Sequence, residues 1–305
     1  MSAIAFHRRT LLAAAGLGAL DWAMRPRLAA ADGALDRLGR DQSALFQGLD
    51  EDARAGEPLV ATVFVNLTYY GRFVRLARNM YWDGRWGYSG YFSNLPADCP
   101  VSQRHGRVRL ARAAHQPALP AGATATALFH AARPALYVVA IGFADGPLAM
   151  RSAVQAVVQG EPELPVQAGD LRFDAIRDAR IIGFAGHNPA FDSSLKDLLT
   201  IPPVRQSPVA TFAIGCCTGG TLPYCRPYRA VPVFQRAAAV PILFSDSLMT
   251  GEAFSFMAML MGLLDRQPLP RIVDRANDEY QRVLGRNGER HGRPFTPLAR
   301  LYDSL

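Results

Sequence analysis

The 305 residues contain only four cysteines and a single lysine, Lys196. So few cysteines cannot staple a small disulfide scaffold, and the chain must fold on a hydrophobic core. No uninterrupted apolar run reaches the roughly 18–20 residues that a membrane-spanning helix needs. No Lys/Arg block, zinc-finger spacing, basic zipper or RNA-recognition signature occurs, and the arginines are scattered. The net charge of +7 therefore does not point to nucleic acid. Internal repeats and low-complexity linkers are also missing. What is present is a chain that is 50% hydrophobic and 19% charged. That excludes disorder and is enough apolar surface for one large core.

Residues 1–31 read as an address, not as part of the fold. His7-Arg8-Arg9-Thr10 precedes a weakly apolar run from Leu11 to Leu20, and Ala29-Ala30-Ala31 supplies small residues for cleavage. Arg8-Arg9 followed by Thr10-Leu11-Leu12 resembles a twin-arginine export signal. The resemblance implies a periplasmic or secreted protein whose mature chain starts at Asp32. Removing the segment takes away Arg8, Arg9, Arg25, Arg27 and Asp21, so the net charge falls from +7 to +4. The alternative is an uncleaved amphipathic helix or anchor.

The mature chain, residues 32–305, alternates two kinds of pattern. Five short runs are nearly continuous in Val, Ile, Phe, Leu and Ala: 59–66, 135–142, 179–186, 209–215 and 240–245. Such runs suit strands covered on both faces, as in parallel sheets. Helical spacing is predicted over 148–158, 191–199, 251–264 and 272–284. The expected fold is a three-layer α/β/α domain with a mostly parallel central sheet. Residues 69–124 are less regular and are expected to form an insertion over the sheet edge. Their aromatic group, Tyr81, Trp82, Trp86 and Tyr88, either packs the insertion or lines a cleft.

In an open parallel sheet, binding groups collect beyond the carboxyl ends of the strands. The third run ends in Gly186-His187-Asn188 and the fourth in Gly215-Cys216-Cys217. A separation of 29 residues suits one crossover between neighbouring strands, so a histidine and a cysteine are expected at one edge. A thiol needs a base to become a nucleophile, and an imidazole can supply it. Gly186, Asn188 and Gly215 are candidates for shaping the loops or an oxyanion site. Asn66, Asp145 and Asp192 are candidates for orienting the histidine or binding substrate. Taken singly, a strand-end cysteine or histidine is as readily a structural residue.

Apolar strand, Gly-His, then apolar strand, small residue, Cys resembles the caspase-like cysteine peptidases, the superfamily of caspases, legumains and gingipains. Within it, Gly186-His187-Asn188 with Asp192 resembles a bacterial branch. So do Asn79-Met80-Tyr81-Trp82, Gly87-Tyr88, Ser247-Leu248-Met249 with Glu252-Ala253, and Tyr280-Gln281. The resemblance spans about residues 59–285. It implies a caspase-like fold, His187 and Cys216 as the catalytic pair, a peptide or protein substrate and no cofactor. Two departures stand out: the histidine is followed by Asn188, not glycine, and a second cysteine, Cys217, follows the nucleophile.

Two other readings use the same residues. Gly215-x-Cys217-x-Gly219 has the form of a nucleophile elbow, which would make Cys217 the nucleophile of an α/β-hydrolase-like enzyme with Asp246 and His291. A degenerate caspase-like domain that binds a peptide without cleaving it is the third. Cys99 and Cys225 lie in loops and are candidates for a disulfide. A Cys225 bridge to Cys216 or Cys217 is the alternative. No metal site is expected, because adjacent cysteines are poorly spaced for tetrahedral zinc.

Overall fold

The five apolar runs form strands because each is long enough to cross a sheet and has no polar face to present to water. In the computed structural model, which describes residues 33–69, 72–93, 110–131, 135–236, 238–249, 251–284 and 293–303, they are β1 (Leu59–Asn66), β6 (Leu136–Phe143), β9 (Ile181–Gly186), β10 (Val209–Ile214) and β11 (Ala239–Phe244). All five pair in parallel, in the order β11-β10-β9-β1-β6. In β9, β10 and β11 every residue is buried, as the continuous apolar pattern predicts.

Two antiparallel strands extend the sheet beyond β6. They are β5 (Ala125–Ala131) and β4 (Ala111–Arg112), giving seven strands in all. Small hairpins, β2 (Thr68–Tyr69) with β3 (Arg72–Phe73) and β7 (Pro165–Ala168) with β8 (Leu171–Asp174), stand outside it. The 69–124 segment is therefore not only a cover over the edge. Its helix Tyr88–Ser93 drives Tyr88 and Phe92 into the core, where Phe92 lies 5.2 Å from Phe129 and 6.1 Å from Phe256 between ring centroids. Tyr81 and Trp82 are buried as well, so these aromatics pack the insertion.

The helices form two groups. Gly146–Gln159 packs on β1 and β9 and meets the short helix Val231–Phe234. Ala253–Leu264 packs along Leu269–Leu284, which reaches β11. The result is a three-layer α/β/α arrangement. A further helix over residues 33–55 was not expected from the sequence, although Ala34, Leu38, Leu45 and Leu49 make an apolar stripe at helical spacing. It is tied down by ion pairs from Asp52 to Arg180 and from Asp50 to Arg266, and by Tyr302 donating to Asp41.

The helix expected over 191–199 does not form. Two 3-10 turns, Pro189–Phe191 and Lys196–Thr200, stand there instead. The reason is local competition for backbone groups: Ser193 Oγ donates to the Pro189 carbonyl, and Ser194 Oγ accepts from the Lys196 amide. Among the described residues, no helix is long and apolar enough to cross a membrane. The leader, Cys99 and His291 lie outside the described residues.

Candidate functional site

β9 and β10 run side by side with Ala185 opposite Ile214. Both strands end at this edge, so His187 and Cys216 follow neighbouring strand ends. The strand ends approach so closely that a Cβ on Gly215 would lie 2.5 Å from the Gly186 carbonyl oxygen. Gly186 itself has φ +114°, a conformation that a side chain would strain, and a Cβ there would lie 2.6 Å from the Asn66 carbonyl oxygen. The glycines flanking the pair are thus required by backbone contact.

Each loop is then fixed by a buried amide. At the end of β1, Asn66 Nδ2 donates to the His187 carbonyl at 2.8 Å. Its Oδ1 accepts from both the amide and the hydroxyl of Thr68. Asn188 is fully buried. Its Nδ2 donates to the Cys216 carbonyl and to the Tyr228 carbonyl, both at 2.8 Å, while Oδ1 accepts from the Ala190 amide at 3.1 Å. The two Nδ2 hydrogens are thereby committed, so the Asn188 side chain stitches loops together and has no side-chain N–H left for an oxyanion.

His187 Nε2 lies 2.9 Å from Asp192 Oδ2, with the histidine side chain largely buried and the aspartate half exposed. A carboxylate accepts, so Nε2 is the donor in this pair. Cys216 is the free thiol among the described residues. Its Sγ donates to the Met249 carbonyl at 3.1 Å and accepts from the Met249 amide at 3.3 Å. Burial pushes the thiol pKa up. The Met249 backbone opposes that shift and the Glu252 carboxylate adds to it. Cys216 therefore rests as a thiol at neutral pH and needs a base to react.

The loop after β11 completes the edge. A Cβ on Gly251 would collide with the backbone of Gly186, so this loop lies directly against the histidine strand. Glu252 is buried, accepts from Ser255 Oγ at 2.6 Å, and raises the pKa of Tyr88 after burial has already done so. The Ala253 amide donates to the Trp86 carbonyl, joining the insertion to this loop. The sequence singled out residues 247–253 only through a resemblance. A backbone donor and acceptor such as those of Met249 leave no signature in residue type.

The remaining candidates fall into place as follows. Asp145 stands at the end of β6, with β1 between it and β9. It caps the helix Gly146–Gln159 by accepting from the Leu148 amide at 2.8 Å. Asp246 accepts from the Thr221 amide at 2.7 Å and from the Thr221 hydroxyl, bracing the loop that follows the cysteines.

The cysteine pairing corrects two expectations. Cys217 is bridged to Cys225, with Cα atoms 4.8 Å apart. Cys225 is therefore not the partner of Cys99. Cys217, buried and without a free thiol, does not serve as an elbow nucleophile. The cause is the turn over 222–228, in which the Cys225 amide donates to the Leu222 carbonyl and the Tyr228 amide to the Cys225 carbonyl, folding Cys225 back beneath Cys217. Among the described residues, no group of three or more His, Cys, Asp or Glu side chains could hold a metal ion.

Comparison with known protein families, curated proteins and solved structures finds no match for the chain.

Proposed function

We propose that the chain is an exported, caspase-like cysteine hydrolase acting on peptides or proteins, with Cys216 as nucleophile and His187 as base. The observation that carries this reading is the juxtaposition of His187 and Cys216 at the carboxyl ends of adjacent parallel strands, with Asp192 holding the imidazole and the Met249 backbone holding the thiol. The strand order is that of a doubly wound open sheet, which gathers groups at the carboxyl ends of its strands. Counting the parallel strands along the chain, the second, first, third, fourth and fifth lie in that spatial sequence, with the histidine after the third and the cysteine after the fourth.

The chemistry follows from a thiol that burial keeps protonated until attack. Cys216 Sγ passes its proton to the His187 imidazole as it bonds to the scissile carbonyl carbon. The imidazolium, steadied by Asp192, returns that proton to the leaving amine as the carbon–nitrogen bond breaks. Water then attacks the thioester, releasing the acid and restoring the thiol. A raised thiol pKa suits this order, in which the proton moves during attack and no thiolate is stored beforehand.

Export is supported by the leader's twin-arginine pattern and by the Cys217–Cys225 bridge, because disulfides persist in oxidising compartments. The test is hydrolysis of a mixed fluorogenic peptide library by the protein purified from the periplasm. Activity that vanishes in Cys216→Ser and His187→Ala is expected, with a mature N-terminus at Asp32. Activity unchanged in Cys216→Ser, or none in the wild type, would overturn the hydrolase reading, and an N-terminus at Met1 would overturn export.

A further inference from the structure

The turn Cys225–Tyr228 is joined to the residues that follow each half of the proposed dyad. On one side it is joined covalently to Cys217, the residue after the nucleophile. On the other, the Tyr228 carbonyl accepts from Asn188, the residue after the histidine, and the Tyr228 ring stacks on Phe191 with centroids 3.9 Å apart. Phe191 in turn lies 6.0 Å from the His187 ring.

Cys217 is also conformationally unusual. With φ +57° it is one of two described non-glycine residues at positive φ. Cysteine gains nothing from that region, so the surroundings must impose it. Two kinds of restraint act there: the bridge to Cys225, and the hydrogen bonds from the Cys217 amide to Ser247 at 3.0 Å and from the Gly219 amide to Ser245 at 2.7 Å. The left-handed residue turns the chain just after Cys216, where the Cys217 and Gly219 amides reach Ser247 and Ser245.

We infer that the Cys217–Cys225 disulfide is a positioning element of the site, locking the left-handed turn at Cys217 so that the Cys216 backbone stays joined to the His187 loop through Asn188. The inference rests on the dyad reading and deepens it: the site needs one reduced sulfur beside two oxidised ones. A dithiol reductant that opens the bridge gives two electrons to the S–S bond, leaves a proton on each sulfur and closes to its own disulfide. The site then loses its alignment while Cys216 remains free.

The test compares two bridge-less proteins. Cys217→Ser/Cys225→Ser keeps a side chain that resists positive φ, whereas Cys217→Gly/Cys225→Ser removes the strain along with the bridge. The first readout is the effect of His187→Ala on the rate of Cys216 alkylation by iodoacetamide at pH 7. A drop of about tenfold is expected in the wild-type background, less than about twofold in the serine pair, and a return toward tenfold in the glycine pair. The second is hydrogen exchange at the amides of positions 217 and 219, expected to be about tenfold faster in the serine pair and near wild type in the glycine pair. Unchanged exchange and an unchanged His187 effect in the serine pair would overturn the inference. If His187→Ala has no effect in the wild-type background, the dyad reading fails instead, and the exchange rates alone decide whether the bridge holds the turn.

Discussion

Asn188→Ala should unfasten the site while leaving both proposed catalytic side chains in place. The asparagine makes three hydrogen bonds from a fully buried position: two donated to the Cys216 and Tyr228 carbonyls, one accepted from Ala190. Each such bond contributes about 1 kcal/mol net, so the variant should lose about 3 kcal/mol. In a domain of this size that corresponds to a fall in Tm of about 6–12 °C. Asn188→Asp sharpens the argument. An aspartate caps the following turn as well as asparagine does, so a residue acting only as a cap would tolerate the change. Here it would set a buried carboxylate against two carbonyl oxygens, and the loss should equal or exceed that of alanine. Urea unfolding followed by circular dichroism measures both. A loss below about 1 kcal/mol for alanine, or a stable aspartate variant, would refute the claim that this amide binds the histidine and cysteine loops together.

Further predictions follow from other contacts. Alkylation of Cys216 should have its midpoint above that of free cysteine, about 8.5, because burial and Glu252 both disfavour the thiolate. Thiolate reactivity is thus small at neutral pH and grows as pH rises through the shifted value. Glu252→Gln should move the midpoint down and speed alkylation at pH 7 by roughly threefold, and a midpoint below that of free cysteine in the wild type would contradict this. Gly251→Ala places a methyl group against the Gly186 backbone, so it should weaken the His187 effect on Cys216 alkylation as well as lower Tm; wild-type values for both would show that the loop yields. Arg205, which burial pushes down to about 10 yet leaves charged at neutral pH, donates to the carbonyls of Ile176, Arg177 and Ala179. Arg205→Met should cost about 2–4 kcal/mol by leaving those acceptors unpaired, checked by urea unfolding, with no effect on the His187 dependence at the far end of the strands.

The parallel strands were legible because burial on both faces forces a continuous apolar run, and β1, β6, β9, β10 and β11 all carry one. The antiparallel β5 was not, since its Thr126 and His130 interrupt the run and it lies beyond a Pro- and Gly-rich stretch that reads as loop. Placing His187 and Cys216 at one edge needed only two strand ends and a crossover length, and Asp192 was close enough in sequence to be named with them. What escaped was everything done by backbone or by distant pairing. Met249 acts through its amide and carbonyl, which any residue possesses. Asn188 was named as an oxyanion or loop residue, but its two acceptors come from segments 28 and 40 residues away. The Cys217–Cys225 bridge depends on the turn over 222–228, and residue type alone does not reveal which cysteines that turn brings together.

The central claim, that Cys216 is a nucleophile activated by His187, is tested most directly by covalent capture. A panel of peptide electrophiles is incubated with the mature protein at neutral pH and the modified residue is mapped by mass spectrometry. The account predicts modification at Cys216, with the rate reduced by about 100-fold in His187→Ala. Modification at another residue, or equal rates with and without His187, would contradict it.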